Sequence, residues 1–220
     1  MNLRSLIHHS PLVMALFGFA ALVEAGPITY VESGSASGTI GGLTFTNAVV
    51  QVTVSGDTAN VVPIFGGSVF ANVSSVTTVT IAGIGTATVT DPNAVYSIPT
   101  PVSVDTGFPV LPYVIFGTLD SPPGLDSFTG IGAQGDNALL GYGLTTAIGP
   151  ITGSPGGIGY PTGLLIHTTL GNLSFNENIS PTAHGTFTAT LGQVPEPMSL
   201  LLVGSGIALL AGLSRFRVRE

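Results

Sequence analysis

A two-residue alternation of apolar and hydroxyl-bearing side chains constrains this chain more than any other feature. Leu43-Thr44-Phe45-Thr46 alternates, and so does Val50-Gln51-Val52-Thr53-Val54. Successive side chains of a strand point to opposite faces, so this pattern buries one face and wets the other. Val79-Thr80-Ile81, Ala87-Thr88-Val89-Thr90 and Thr186-Phe187-Thr188-Ala189-Thr190-Leu191 repeat it, while Tyr113 to Leu119 and Leu164 to Leu170 are more continuous runs. The apolar phase falls on odd numbers at Phe45 and on even numbers at Val50, Val52 and Val54. One extra residue corrects such a slip, so a β-bulge is expected near Asn47.

Turn chemistry separates these segments. Gly41-Gly42, Ser55-Gly56-Asp57, Gly66-Gly67, Asp91-Pro92-Asn93, Pro122-Pro123-Gly124, Gly156-Gly157 and Ser180-Pro181 all favour chain reversal. Many short strands between frequent turns imply an all-β body, an antiparallel β-sandwich or jelly roll. Ser121 to Pro161 is rich in Gly and Pro and reads as a long irregular loop region over one end. Helices are expected only at the two ends of the chain, outside residues 26–193.

That middle segment contains no Lys and no Arg, and the whole chain contains no Cys. An uncharged-to-acidic surface excludes the basic stripe that nucleic acid requires. The lack of thiols excludes cysteine catalysis and cysteine metal sites. Stability must come from packing rather than disulfides, which 168 or so residues can supply in one domain.

Residues 1–25 read as a secretory signal peptide: Arg4 gives a positive start, Leu12 to Leu22 an apolar centre, and Val23-Glu24-Ala25 a cleavage region with the cut after Ala25. An uncleaved anchor is the alternative. The Sec translocon and signal peptidase are the partners this implies.

Residues 194–220 form a second ordered pattern. Pro195-Glu196-Pro197 precedes an uncharged apolar run from Met198 to Leu213, and Arg215, Arg217 and Arg219 follow. Pro197 suits the first turn of a helix, where its missing N–H costs nothing. The run is about 16 residues, slightly short of a full span, and arginines able to snorkel extend it. By the positive-inside rule the Arg cluster stays cytoplasmic, leaving the body outside. This motif, transmembrane helix and basic tail resemble the PEP-CTERM sorting signal of Gram-negative bacteria. The resemblance implies processing near Pro195, Glu196 and Pro197 by exosortase, a membrane-embedded cysteine protease, after transient residence in the inner membrane. It also implies delivery to the cell surface or to extracellular polysaccharide. A plain tail anchor is the alternative.

Catalytic signatures are sparse. Gly130-Ile131-Gly132-Ala133-Gln134-Gly135 spells a dinucleotide fingerprint but lacks the strand-to-helix context that the fingerprint needs. No Gly-x-Ser-x-Gly elbow or His-Glu-x-x-His helix is present. His167 lies in an apolar strand out of sequence reach of any acid, and His184 begins the last strand. Calcium prefers loop carboxylates, and Asp120, Asp126 and Asp136 are the weak candidates for it. Tyr142 and Tyr160 sit among glycines and offer a shallow face for a sugar.

The sequence therefore reads as an exported, non-enzymatic surface or matrix protein without a firm metal or cofactor. The alternatives are a carbohydrate- or calcium-binding module and, behind it, a secreted hydrolase.

Overall fold

The structure, a computed structural model, describes residues 25–73, 76–100, 112–118, 127–132, 137–153, 165–176 and 185–193. Within them the chain is all-β and every pairing is antiparallel. Three short 3-10 turns are the only helical segments among the described residues, and none there could cross a membrane. The expected signal helix and transmembrane helix fall on residues 1–24 and 194–220, outside the described residues.

Two long strands form the spine. β1 (Pro27–Ile40) and β2 (Leu43–Asp57) pair along their whole length through a Gly41-Gly42 turn. Both glycines have positive φ, 55° and 86°, as a two-residue hairpin turn demands. The expected bulge is present: the register slips between Ala36 and Gly38 opposite Thr46 and Asn47. Asn47 takes φ 47° and donates its N–H to Ser37 Oγ at 2.9 Å. Asn tolerates the left-handed region better than most non-Gly residues, which suits it to the extra position. Phe45 is buried before the bulge and Val50, Val52 and Val54 after it.

The remaining strands are β3 (Val61–Ile64), β4 (Val69–Val73), β5 (Val76–Ile81), β6 (Gly85–Thr88), β7 (Asn93–Ile98), β8 (Tyr113–Thr118), β9 (Ser127–Gly132), β10 (Ile148–Gly153), β11 (Ile166–Thr168), β12 (Gly171–Phe175) and β13 (Gly185–Leu191). The larger sheet runs β10-β13-β1-β2-β5-β6, and β12 also pairs with β1 and carries β11. β13 covers Ile28–Ser33 of β1 and β12 covers Gly38–Ile40, so the two lie end to end along one side of it. The smaller sheet is β3-β4-β7-β8-β9. Residues of both sheets share one core that includes Tyr30, Val52, Val79, Val95, Val114, Phe116 and Phe187.

The arrangement is sandwich-like, with a departure. The larger sheet coils until its ends meet. Val89 bridges Thr168, Thr90 donates its N–H to the His167 carbonyl, and Thr169 donates to the Thr88 carbonyl, both at 2.9 Å. A ring β1-β2-β5-β6-β11-β12 results, close to a barrel. Closure removes two exposed edges, which is the usual gain from a barrel.

The irregular region expected over Ser121–Pro161 is corrected. It contains β9 and β10, and Leu139, Tyr142, Leu144 and Ile151 from it are buried in the core. Gly and Pro density obscured strands whose stability comes from tertiary packing. Gly130, Ile131 and Gly132 lie in β9, laddered to β8, and not at a strand-to-helix turn. Ser55-Gly56-Asp57 ends β2 rather than turning; the chain reverses through the next 3-10 turn, where Asp57 Oδ1 caps the Ala59 N–H at 2.8 Å.

Candidate functional site

Two polar constellations stand out from the strands. The first sits on the ring seam. Asp91 follows the bridge at Val89 and turns the chain toward β7, and His167 is the middle residue of β11. One Asp91 oxygen accepts the His167 backbone N–H at 2.7 Å, and the His167 Nδ1 lies 2.9 and 3.1 Å from the two carboxylate oxygens. The carboxylate thus extends the seam by one rung and also fixes the ring. This geometry puts a neutral ring's proton on Nδ1 and turns Nε2 outward. The His167 side chain is 59% exposed and that of Asp91 only 17%. Below them, Asn93 Nδ2 donates to the Asp91 carbonyl at 2.8 Å, and Thr77 on β5 donates to Asn93 Oδ1, joining the two sheets.

No acid lies within easy sequence reach of His167, and the fold supplies one from 76 positions away. An oriented imidazole beside a carboxylate is two parts of a hydrolytic triad and also a common way to present a metal ligand. Among the described residues no serine hydroxyl bonds His167, and no group of three His, Cys, Asp or Glu is placed to hold a metal. What the pair does in the fold is close the seam.

The second constellation is buried between the sheets. Tyr30 on β1 donates its hydroxyl to the Leu144 carbonyl at 2.7 Å and accepts from Asn72 Nδ2 on β4 at 2.7 Å. Ser97 Oγ on β7 donates to the Tyr142 carbonyl at 2.7 Å. Phe187 lies beneath, with the Tyr30 ring stacked at 6.5 Å and the Tyr142 ring edge-on at 6.0 Å. Burial pushes the Tyr30 hydroxyl up to about 12, against a smaller lowering by the Asn72 hydrogen bond. Burial also raises Tyr142, with a further push from the nearby Tyr30. Asn72 Oδ1 is buried and accepts no hydrogen bond among the described residues. Gly56 makes room for this amide, since a Cβ there would stand 3.0 Å from Nδ2. Glu32, on the same inward face of β1 as Tyr30, is also fully buried.

Tyr142 is therefore a core residue at 5% exposure and not part of a sugar-binding face. Its glycine-rich neighbours suggested a loop, but the ring packs on Phe187. Tyr30, Glu32 and Asn72 carried no sequence signal beyond the alternation Ile28-Tyr30-Glu32. A polar residue in a buried phase is the sign that would have singled out the last two.

The other expected residues separate into two groups. Ala25 is described and exposed, immediately before the buried Gly26. Gly26 donates its N–H to Thr58 Oγ1 at 2.9 Å, and the Thr58 N–H donates to its carbonyl at 3.0 Å. Pro195, Glu196, Pro197, Arg215, Arg217, Arg219, Asp120, Asp126, Asp136, Tyr160 and His184 lie outside the described residues. Comparison of the chain with protein-family models, with curated proteins and with solved structures finds no match.

Proposed function

We propose that this chain is an exported surface or extracellular protein of a Gram-negative bacterium, sorted through its C-terminal signal and released by exosortase. The observation that carries the reading is the order of the tail: Pro195-Glu196-Pro197, then the apolar run, then Arg215, Arg217 and Arg219. The body, residues 26–193, is a structural or interaction domain without a catalytic role. Extracellular polysaccharide is the partner class that this destination suggests.

Two features of the body support this division. Among the described residues, paired structure starts at Pro27 and ends at Leu191, within two residues of both proposed boundaries. The Gly26 hydrogen bonds use atoms that remain after cleavage at Ala25, and a free ammonium at Gly26 still donates to Thr58 Oγ1. Removal of the leader would therefore cost the fold none of these contacts.

Intact mass and fractionation from the native cell test the proposal, with and without exosortase activity. Loss of the residues following the Pro195-Glu196-Pro197 region only in the active strain is the expected result. A helix retained in both strains would make the chain an ordinary membrane-anchored protein and end the proposal.

A further inference from the structure

The two ends of the body leave from one place. Ile28 is in register with Leu191, and the Gly192 N–H donates to the Pro27 carbonyl at 2.7 Å. A Cβ at Gly192 would lie 2.7 Å from Pro27 Cγ, so the chain is pressed against the body up to that residue. Across the sheet the same end continues through Gly56, opposite Ile28, and Val76, opposite Ser55.

Only five residues, Gln193 to Pro197, lie between Gly192 and Met198, where the apolar run begins, a distance of six Cα-to-Cα steps. Fully extended they reach roughly 20 Å. β1 alone, with 14 residues, is about 46 Å long. A stalk that short keeps the tethered end of the body within about 20 Å of the bilayer core that receives the run. The surface it holds there presents apolar side chains: Leu191 is 50% and Val76 49% exposed, and Pro27 and Ala59 are exposed with them, alongside the uncharged Asn60 and Gln193. Asp57 lies among these strand ends and is occupied by capping Ala59. A short tether converts weak surface affinity into high occupancy through effective concentration.

We infer that this end of the body, around Pro27, Ala59, Val76 and Leu191, rests on the lipid headgroup surface while Met198–Leu213 is inserted, with β1 standing away from the membrane. The inference rests on the proposed insertion of that run. It gives the sorted protein a fixed orientation, with the Gly41-Gly42 turn farthest from the lipid.

The chain has no Cys, so a single introduced thiol can carry a fluorophore. Ala59→Cys and Leu191→Cys report the tethered end on two different segments. Leu43→Cys and Leu170→Cys report the far end with side chains of similar exposure, 59% and 47%. The full chain is reconstituted in phosphatidylethanolamine–phosphatidylglycerol vesicles carrying a shallow nitroxide lipid. Several-fold stronger quenching at both near positions than at both far positions is expected. Equal quenching at all four, in chains that resist carbonate extraction, would overturn the inference and leave the insertion standing. Extraction of the chain by carbonate would overturn both. Homo-cross-linking at the near positions in place of lipid quenching would give this surface to a second copy and overturn the lipid assignment.

Discussion

The Tyr30 bridge and the Asp91–His167 clasp both tie distant segments together, but in opposite surroundings. Tyr30 reaches 42 positions to Asn72 and 114 to Leu144 with no exposed surface, while His167 reaches 76 positions to Asp91 at the protein surface. Water can replace either partner of the clasp. Nothing replaces a partner of the bridge. A buried donor or acceptor left alone bears its full desolvation cost, whereas a side-chain pair open to solvent contributes little. Similar distances in sequence therefore carry different weights in stability.

The largest expected effect tests the floor of the bridge. Phe187→Ala removes the ring that contacts Tyr30, Tyr142 and Phe116 and should cost about 3–5 kcal/mol in urea denaturation. A loss below about 1 kcal/mol would mean that the site collapses and that the bridge stands without its aromatic support.

Alkali probes the same region without mutation. Tyr30 ionises near 10 when unfolded and is pushed up to about 12 in the fold. Between those values the unfolded chain binds fewer protons, so stability is complete below pH 10 and falls as pH rises through about 12. Two units correspond to about 2–3 kcal/mol, and Tyr142 adds a loss of the same sign. Thermal denaturation at pH 9 and pH 11.5, with tyrosinate absorbance followed in parallel, would show it. Ionisation of all five tyrosines near pH 10 before unfolding would break the distinction between buried and exposed links.

Tyr30→Phe keeps the ring and deletes the hydroxyl, leaving Asn72 Nδ2 and the Leu144 carbonyl unpaired. The expected cost is about 1–3 kcal/mol, measured by chemical denaturation. The smallest effect belongs to the clasp: Asp91→Ala should cost less than about 1 kcal/mol globally. Its signature is local, a faster hydrogen exchange at the His167 amide with the core amides unchanged. If the two substitutions cost the same, the difference drawn between the sites is wrong.

The sequence disclosed what depends on neighbours and concealed what depends on closure. The bulge at Asn47 was legible because a phase slip between Phe45 and Val50 is a local fact about one strand. The β2, β5, β8 and β13 segments were legible for the same reason. β1 carries the centre of the fold but shows little alternation of its own, because its inward positions include Glu32 and its second half is Gly34 and Gly38 among small polar residues. β9 and β10 were hidden by Gly and Pro. The Asp91–His167 pair had no local signature, since its geometry is created when β6 meets β11. Tyr142 was misread because its glycine neighbours describe the backbone around it and say nothing of the ring.

The closed sheet has a further consequence for how the molecule breathes. The ladders of the ring are unequal, from thirteen matched pairs between β1 and β2 down to three between β11 and β12 and three between β12 and β1. The junction of β6 and β11 has a single bridge, two flanking backbone bonds, a bond from the Thr88 N–H to Thr169 Oγ1 and one carboxylate. A hoop with one thin stave opens there first. Sub-global opening at this junction would expose β6 and β11 as fresh edges while the spine stays paired. Such transient edges are where a strand from another molecule could join. The weakest rung of the ring therefore sets how often this body is open to strand exchange, and Asp91 is the residue that lowers that frequency.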